Sequence, residues 1–134
     1  MIKKITQKHG MGCGVACVAA ASGINYDDAI KLFSKPQNAW SKGYMCRDLV
    51  NALKKCKKNY QYKYLKNKRD PILKIPGTIV FTRFSKAYPH GHYLIKTSKG
   101  WMNPWINFPE ITPAKSGITK RLPASPSYAI FEVG

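Results

Sequence analysis

Residues 7–23 read QKHGMGCGVACVAAASG, and the rest of the chain is read outward from them. Gly14 to Ser22 is a run of small, mostly apolar residues that predicts a helix starting at Cys13. Gly23 is the residue at which such a helix stops. Cys13 is boxed between Gly12 and Gly14 and stands six places after Gln7. Two readings meet at this cysteine. A small thiol flanked by glycines suits a crowded contact between helix and sheet, and it equally suits a nucleophile that a substrate backbone must approach.

Downstream, Asn25 predicts the cap of a second short helix over residues 26–33, YDDAIKLF. Asp27 and Asp28 fall in its first turn, where the helix dipole favours acids, and Ala29, Leu32 and Phe33 make its apolar stripe. Residues 34–43 read as a loop holding Pro36 and an exposed Trp40. Met45, Leu49, Ala52, Leu53 and Cys56 recur at helical spacing and predict a helix over 45–56. The period then changes. Tyr60, Tyr62 and Tyr64 alternate as a strand, and residues 78–84, TIVFTRF, are strongly β-forming after the Pro76-Gly77 turn. Residues 92–97, HYLIKT, run through Ser98-Lys99-Gly100 into residues 101–105 as a hairpin. A proline-dotted stretch, 106–126, leads to a last strand over 127–133, SYAIFEV. Helices first and antiparallel strands later predict an α+β fold, with residues 1–134 as a single domain.

Hydrophobic residues at 44% and charged residues at 22% are those of a soluble globular protein. No run reaches the roughly 18–20 apolar residues of a membrane span. The basic start and the Gly/Ala stretch after it lack the leucine-type block of a secretion signal, so a cytoplasmic location is expected, with delivery outside the producing cell left open. The four cysteines, at 13, 17, 46 and 56, are not needed as staples in a chain this rich in apolar sequence. Cys13 and Cys17 share a helix face at a spacing that makes no useful cross-link. Neither CxxC nor HxxxH occurs, and His90-Gly91-His92 alone is a weak ligand pair, so neither metal nor other cofactor is expected.

Charge is the outlier: 23 Lys and Arg against six acids give a formal +17. The bias concentrates in residues 54–69, KKCKKNYQYKYLKNKR, which carry Lys54, Lys55, Lys57, Lys58, Lys63, Lys66, Lys68 and Arg69 and no acid. One reading is an edge strand kept from aggregating by its lysines. The other is a polyanion- or RNA-binding strip, with lysines on phosphates and the interleaved tyrosines available for stacking.

A cysteine nucleophile needs a thiolate-favouring position, an imidazole, a group to orient that imidazole and donors for the oxyanion. Cys13 at a helix start meets the first need, and Gly12, Gly14 and Gly91 leave room for a substrate in the cleft. His92 opens a strand and is expected to serve as the base, with His90 as the competing choice. Asn103, beyond the hairpin turn, comes out as a diagonal neighbour of His92 and can accept from its ring N–H. The Cys13 N–H and the Gln7 amide are candidate oxyanion donors. His9 is expected to add local positive charge, Trp101 and Trp105 to form core or cleft wall, and Trp40 to cover a rim. Cys17 reads as core, and Cys46 and Cys56 as inert.

These residues resemble the C39 bacteriocin-processing peptidases, a branch of the papain-like thiol peptidases. That family has a Gln, a Cys-Gly-x-x-Cys-type helix start, a His followed by aliphatic strand residues, and then Asp-Pro. The matching positions here are Gln7, Cys13-Gly14 with Cys17, His92-Tyr93-Leu94-Ile95, and Asn103-Pro104. Residues 43–53, GYMCRDLVNAL, are similar to the family's intervening Gly-x-x-x-x-x-Leu helix. Asn replaces the family's usual Asp, as it does in other papain-like relatives. The resemblance covers most of the chain in order. It implies a papain-like/C39-like fold, with N-terminal helices on an antiparallel sheet, and a catalytic set of Cys13, His92, Asn103 and Gln7.

The function expected is peptide-bond hydrolysis in a peptide or protein substrate through a Cys13 acyl-enzyme. Two alternatives keep the fold: a basic, toxin-like or nucleic-acid-binding domain acting on RNA, and a catalytically silent domain that only grips peptides.

Overall fold

The computed structural model describes residues 2–110 and 113–133. Helix α1 spans Cys13–Ser22 and ends at Gly23, which takes the left-handed conformation and donates its N–H to Ala19 O. Val15, Ala16, Cys17, Val18 and Ala19 have no solvent exposure. A helix of such small residues has no polar face to spare and is covered on every side, by the sheet, by α2 (Tyr26–Ile30) and by α4 (Cys46–Lys55).

Helix α2 begins as expected, with the Asn25 side chain accepting from Asp28 N–H at 2.8 Å. It stops at Ile30 rather than Phe33. The chain tightens there through Leu32 N–H to Ala29 O and Phe33 N–H to Ile30 O, which buries Phe33 against the Tyr44 ring at 4.3 Å. The expected loop over 34–43 contains a further short helix, α3 (Asn38–Ser41). Met45 lies outside the apolar stripe assigned to it. It caps α4, its N–H bonded to the Asp48 carboxylate at 2.8 Å, and its side chain is 64% exposed.

Among the described residues six strands form one antiparallel sheet: β1 (Tyr60–Tyr64), β2 (Ile79–Thr82), β3 (His92–Thr97), β4 (Gly100–Asn103), β5 (Gly117–Thr119) and β6 (Pro126–Glu132). Their spatial order is β1-β6-β2-β3-β4-β5, so β1 and β5 are the edges. The architecture is α+β. Strand β2 is shorter than the expected 78–84, and its register with β6 shifts between Phe81 and Thr82. Strand β5, inside the stretch 106–126, was not expected. It approaches β4 at Gly100 (φ +141), where a Cβ would stand 2.5 Å from Thr119 O, so only glycine fits.

Ile79, Ile95, Met102 and Ile130 face the helices and share the main core with α1 and α4. Val80, Leu94 and Trp101 form a smaller cluster on the opposite face with Leu73 and Leu122. The β3–β4 turn pairs Thr97 with Gly100 and Ile95 with Met102. Continuing that register by one residue sets Asn103 opposite Leu94, a diagonal neighbour of His92 on the same face.

Candidate active site

Cys13 is the first residue of α1, and Gly12 before it offers no capping side chain, so the first-turn N–H groups are uncommitted by the helix itself. The backbone N–H of Tyr93, the residue after His92, lies near enough to the Cys13 sulfur to favour its thiolate, and β3 packs against α1. The start of β3 therefore lies against the start of α1. Cys13 and His92 both line one recess of about 30 Å³, walled by Met11, Tyr88, Gly91 and Trp105 among others. That volume holds a water or two. Among the described residues no hydrogen bond joins the sulfur to the ring.

His92 is held by a chain of hydrogen bonds whose direction is forced. Nε2 of His92 lies 2.7 Å from Asn103 Oδ1. That oxygen also accepts the Trp105 backbone N–H at 2.9 Å, so it has to be the oxygen and not the amide nitrogen. Nε2 must then carry the ring proton. Asn103 Nδ2 donates to the Tyr88 hydroxyl at 2.9 Å, and that hydroxyl donates to Trp105 O at 2.7 Å. Tyr88 also stacks on the imidazole, with centroids 3.9 Å apart and planes 8° from parallel. The tautomer is thus fixed, and Nδ1 is left as a bare lone pair.

The lowered thiol pKa expected at a helix start is not found. Burial pushes the Cys13 thiol up to about 11, outweighing the backbone N–H groups of Tyr93 and Gly14 that pull the other way. Burial likewise lowers His92 to about 4, against the opposing pull of Asn103. At neutral pH the resting pair is thiol and neutral imidazole, not thiolate and imidazolium.

The other expected site residues fall less simply. Gln7 is buried beside the Asn103-Pro104 corner, its backbone N–H bonded to Pro104 O at 3.2 Å. Its side-chain amide donates to His9 O at 2.9 Å and Gly10 O at 3.3 Å, while Oε1 is buried without a partner. Turning the amide over would set its oxygen against two carbonyls, so the oxyanion donor expected of Gln7 is engaged elsewhere in this state. Gly12 and Gly14 do not open onto a cleft. A Cβ on Gly12 would meet the Tyr26 hydroxyl at 2.0 Å, and one on Gly14 would meet Leu49 Cδ1 at 3.0 Å and Tyr93 Cδ2 at 3.3 Å. Gly91 does line the recess.

His9 is bonded through Nδ1 to the Tyr26 hydroxyl at 2.9 Å, and burial lowers its pKa, so it is a poor source of positive charge. Trp40 packs against His9 with ring centroids 4.0 Å apart and planes tilted by 45°, and does not line the recess; Trp105 walls it, and Trp101 belongs to the far-face cluster. Within the basic strip, Lys63 pairs with Asp70 at 2.9 Å, Lys68 donates to Leu65 O and Pro126 O, and Lys55 donates to Leu32 O. Lys54, Lys57, Lys66 and Arg69 are exposed, and Lys58 is half-buried.

No protein family, curated protein or solved structure matches the chain. Among the described residues no His, Cys, Asp or Glu cluster is placed to hold a metal, and no helix is long and apolar enough to cross a membrane.

Tyr88 is the functional candidate that sequence reasoning missed. It sits in the connection between β2 and β3, where no periodicity marks it, and the only cue is its place just before the Pro-His-Gly-His run. Tyr88→Phe keeps the stack, leaves Asn103 Nδ2 without its partner in a buried site, and leaves Trp105 O with only the 3.4 Å bond from Phe108 N–H. The expected cost is about 1–3 kcal/mol in urea unfolding.

Proposed function

We propose that the chain is a thiol peptidase of papain-like, C39-like design that cuts a peptide or protein through an acyl-enzyme on Cys13. The observation that supports this most is the forced hydrogen-bond chain ending in a bare Nδ1 on His92, in the recess that Cys13 also lines. In the first step Nδ1 takes the thiol proton as the sulfur attacks the carbonyl carbon. The oxyanion faces the Cys13 N–H at the helix start. The imidazolium then protonates the leaving amine as the C–N bond breaks. Water, deprotonated by the same nitrogen, hydrolyses the thioester. A peptide needs more room than about 30 Å³, so its binding has to displace part of the wall, where Gly10, Met11, the Tyr88–Gly91 segment, Trp105 and Phe108 all lie outside helices and strands. The formal +17 favours acid-rich substrates.

The silent, peptide-gripping reading competes on a specific observation: the thiol's raised pKa and the tightness of the recess. Two measurements separate the readings. A mixture of acid-rich peptides, read by mass spectrometry, is expected to be cut by the parent chain and left whole by Cys13→Ala. With iodoacetamide and no peptide, Cys13 is expected to alkylate about a hundredfold more slowly at pH 7 than a thiol of pKa 9.0, because its own is about 11. The rate should climb tenfold per pH unit toward that value. A rate that is flat from acid to neutral pH would show a resting ion pair and overturn the neutral-pair description. Intact peptides from a folded parent chain would leave only the silent reading.

A further inference from the structure

A hollow of about 420 Å³ lies between the start of α4 and the helix-facing side of the sheet. Its floor is built from a register. Tyr64 pairs with Tyr128, Tyr128 with Phe81, and Phe81 with Tyr93, so β1, β6, β2 and β3 each contribute one aromatic residue to a single level on one face. Phe81 and Tyr93 meet at 4.8 Å, and Tyr64 and Tyr128 meet edge-on at 5.6 Å. Tyr62, two residues from Tyr64 on the same strand, shares that face. Tyr60, the third tyrosine of the strip, is buried and takes no part.

The outer half of this surface is uncovered: Tyr62 is 45% exposed, Tyr64 59%, Tyr128 37% and Met45 64%. Contiguous exposed rings are costly to keep in water and mark an interaction surface. The rim is cationic. Arg47 lines the hollow, the Lys68 amine stands 5.4 Å from the centroid of the Tyr64 ring, and Lys66 and Arg69 are exposed nearby in sequence. No carboxylate lines it, and Asp48, one residue after Arg47, is turned to the Met45 N–H.

We propose that this face binds single-stranded nucleic acid, with bases on the rings of Tyr62, Tyr64 and Tyr128 and phosphates on Arg47 and the lysine rim. Ring faces on neighbouring strands, edged by cations, accept any base by stacking while the backbone follows the charge. The overall +17 supplies attraction to a polyanion. An acidic peptide would use the same charge but would make little use of a row of exposed ring faces. The proposal is independent of the chemistry at Cys13.

Fluorescence anisotropy with labelled oligothymidylate and oligouridylate, at about 0.15 M salt, tests it. The double variant Tyr62→Ala/Tyr128→Ala is expected to bind about tenfold or more weakly. Tyr62→Phe/Tyr128→Phe should bind like the parent. Arg47→Ala is expected to flatten the dependence of log affinity on log salt by about one unit, whereas Lys99→Ala, at the far end of β3, leaves affinity at the groove nearly unchanged. A double Ala variant that keeps the parent's affinity and its circular dichroism spectrum would overturn the proposal. So would polyglutamate that displaces the oligonucleotide as well as unlabelled oligonucleotide does at equal charge, since diffuse attraction or an acidic peptide would then explain the binding. An equal loss in the Phe and Ala variants would overturn stacking as its basis.

Discussion

His92→Ala should lower the rate of peptide-bond cleavage by a factor of about 10²–10⁴, with substrate binding little changed. The reason lies in the direction of the hydrogen bonds around the ring. With Trp105 N–H and His92 Nε2 both donating to Asn103 Oδ1, Nδ1 is the one nitrogen free to take a proton. Removing the ring leaves a thiol whose pKa burial has pushed up to about 11, with the exposed His90 the other imidazole that lines the recess. The acid limb of kcat/KM gives a second, independent reading. An imidazole lowered to about 4 by burial stays unprotonated well below the ordinary 6.5, so activity should persist on acidification and fall only as pH drops through about 4. Asn103→Asp moves that limb in the opposite sense. It keeps both accepted hydrogen bonds, adds an anion that favours the imidazolium, and raises the His92 pKa. A limb that stays near 4 in Asn103→Asp would count against Asn103 as the group that sets the ring's basicity.

Gly91→Ala carries the largest structural effect. Gly91 has φ +78, a left-handed conformation that costs a residue with a Cβ about 1–2 kcal/mol. The added Cβ would stand 2.3 Å from Phe81 Cζ and 2.8 Å from Thr82 O. The first neighbour is the far end of a ring packed on Tyr93, and the second is backbone of a central strand. Neither yields cheaply, and overpacking of this kind adds about 1–3 kcal/mol. Urea unfolding should therefore show a loss of several kcal/mol. The chain also has to shift one residue before His92, so the ring loses its contact with Asn103. Cleavage measured well below the unfolding midpoint should fall by more than the unfolded fraction accounts for. A variant as stable and as active as the parent would mean that the bend at Gly91 does not hold His92.

How much could be read beforehand differs by element, for physical reasons. Helix α1 and the β3–β4 hairpin were legible because their signals are local: a small apolar run closed by Gly23, and an apolar strand leading through Ser98-Lys99 into Gly100. The diagonal placement of Asn103 against His92 followed from that turn alone. Helix α3 and strand β5 were not legible. Four residues and three residues respectively carry too little periodicity, and β5 exists because Gly100 lets another chain segment approach. The thiol's environment was misread for a different reason. The helix start is a local feature that favours thiolate, while the burial that defeats it is tertiary, made with residues distant in sequence such as Tyr88 and Tyr93. Gln7 shows the same limit, since its amide is held by backbone carbonyls whose position depends on the fold of residues 9–10 and on Pro104.

The sheet has an open margin at β1, where Gln61, Tyr62, Lys63 and Tyr64 are all exposed and one side of the backbone ladder has no neighbouring strand among the described residues. Such a margin invites a second copy of itself, and what opposes the encounter is the mutual repulsion of two bodies at +17. That repulsion fades within about 10 Å in 0.1 M salt and within about 3 Å in 1 M. The chain's colloidal behaviour should therefore run opposite to that of a balanced surface. It should stay dispersed in dilute buffer and self-associate as counterions accumulate, with Lys63→Glu lowering the salt concentration at which association begins.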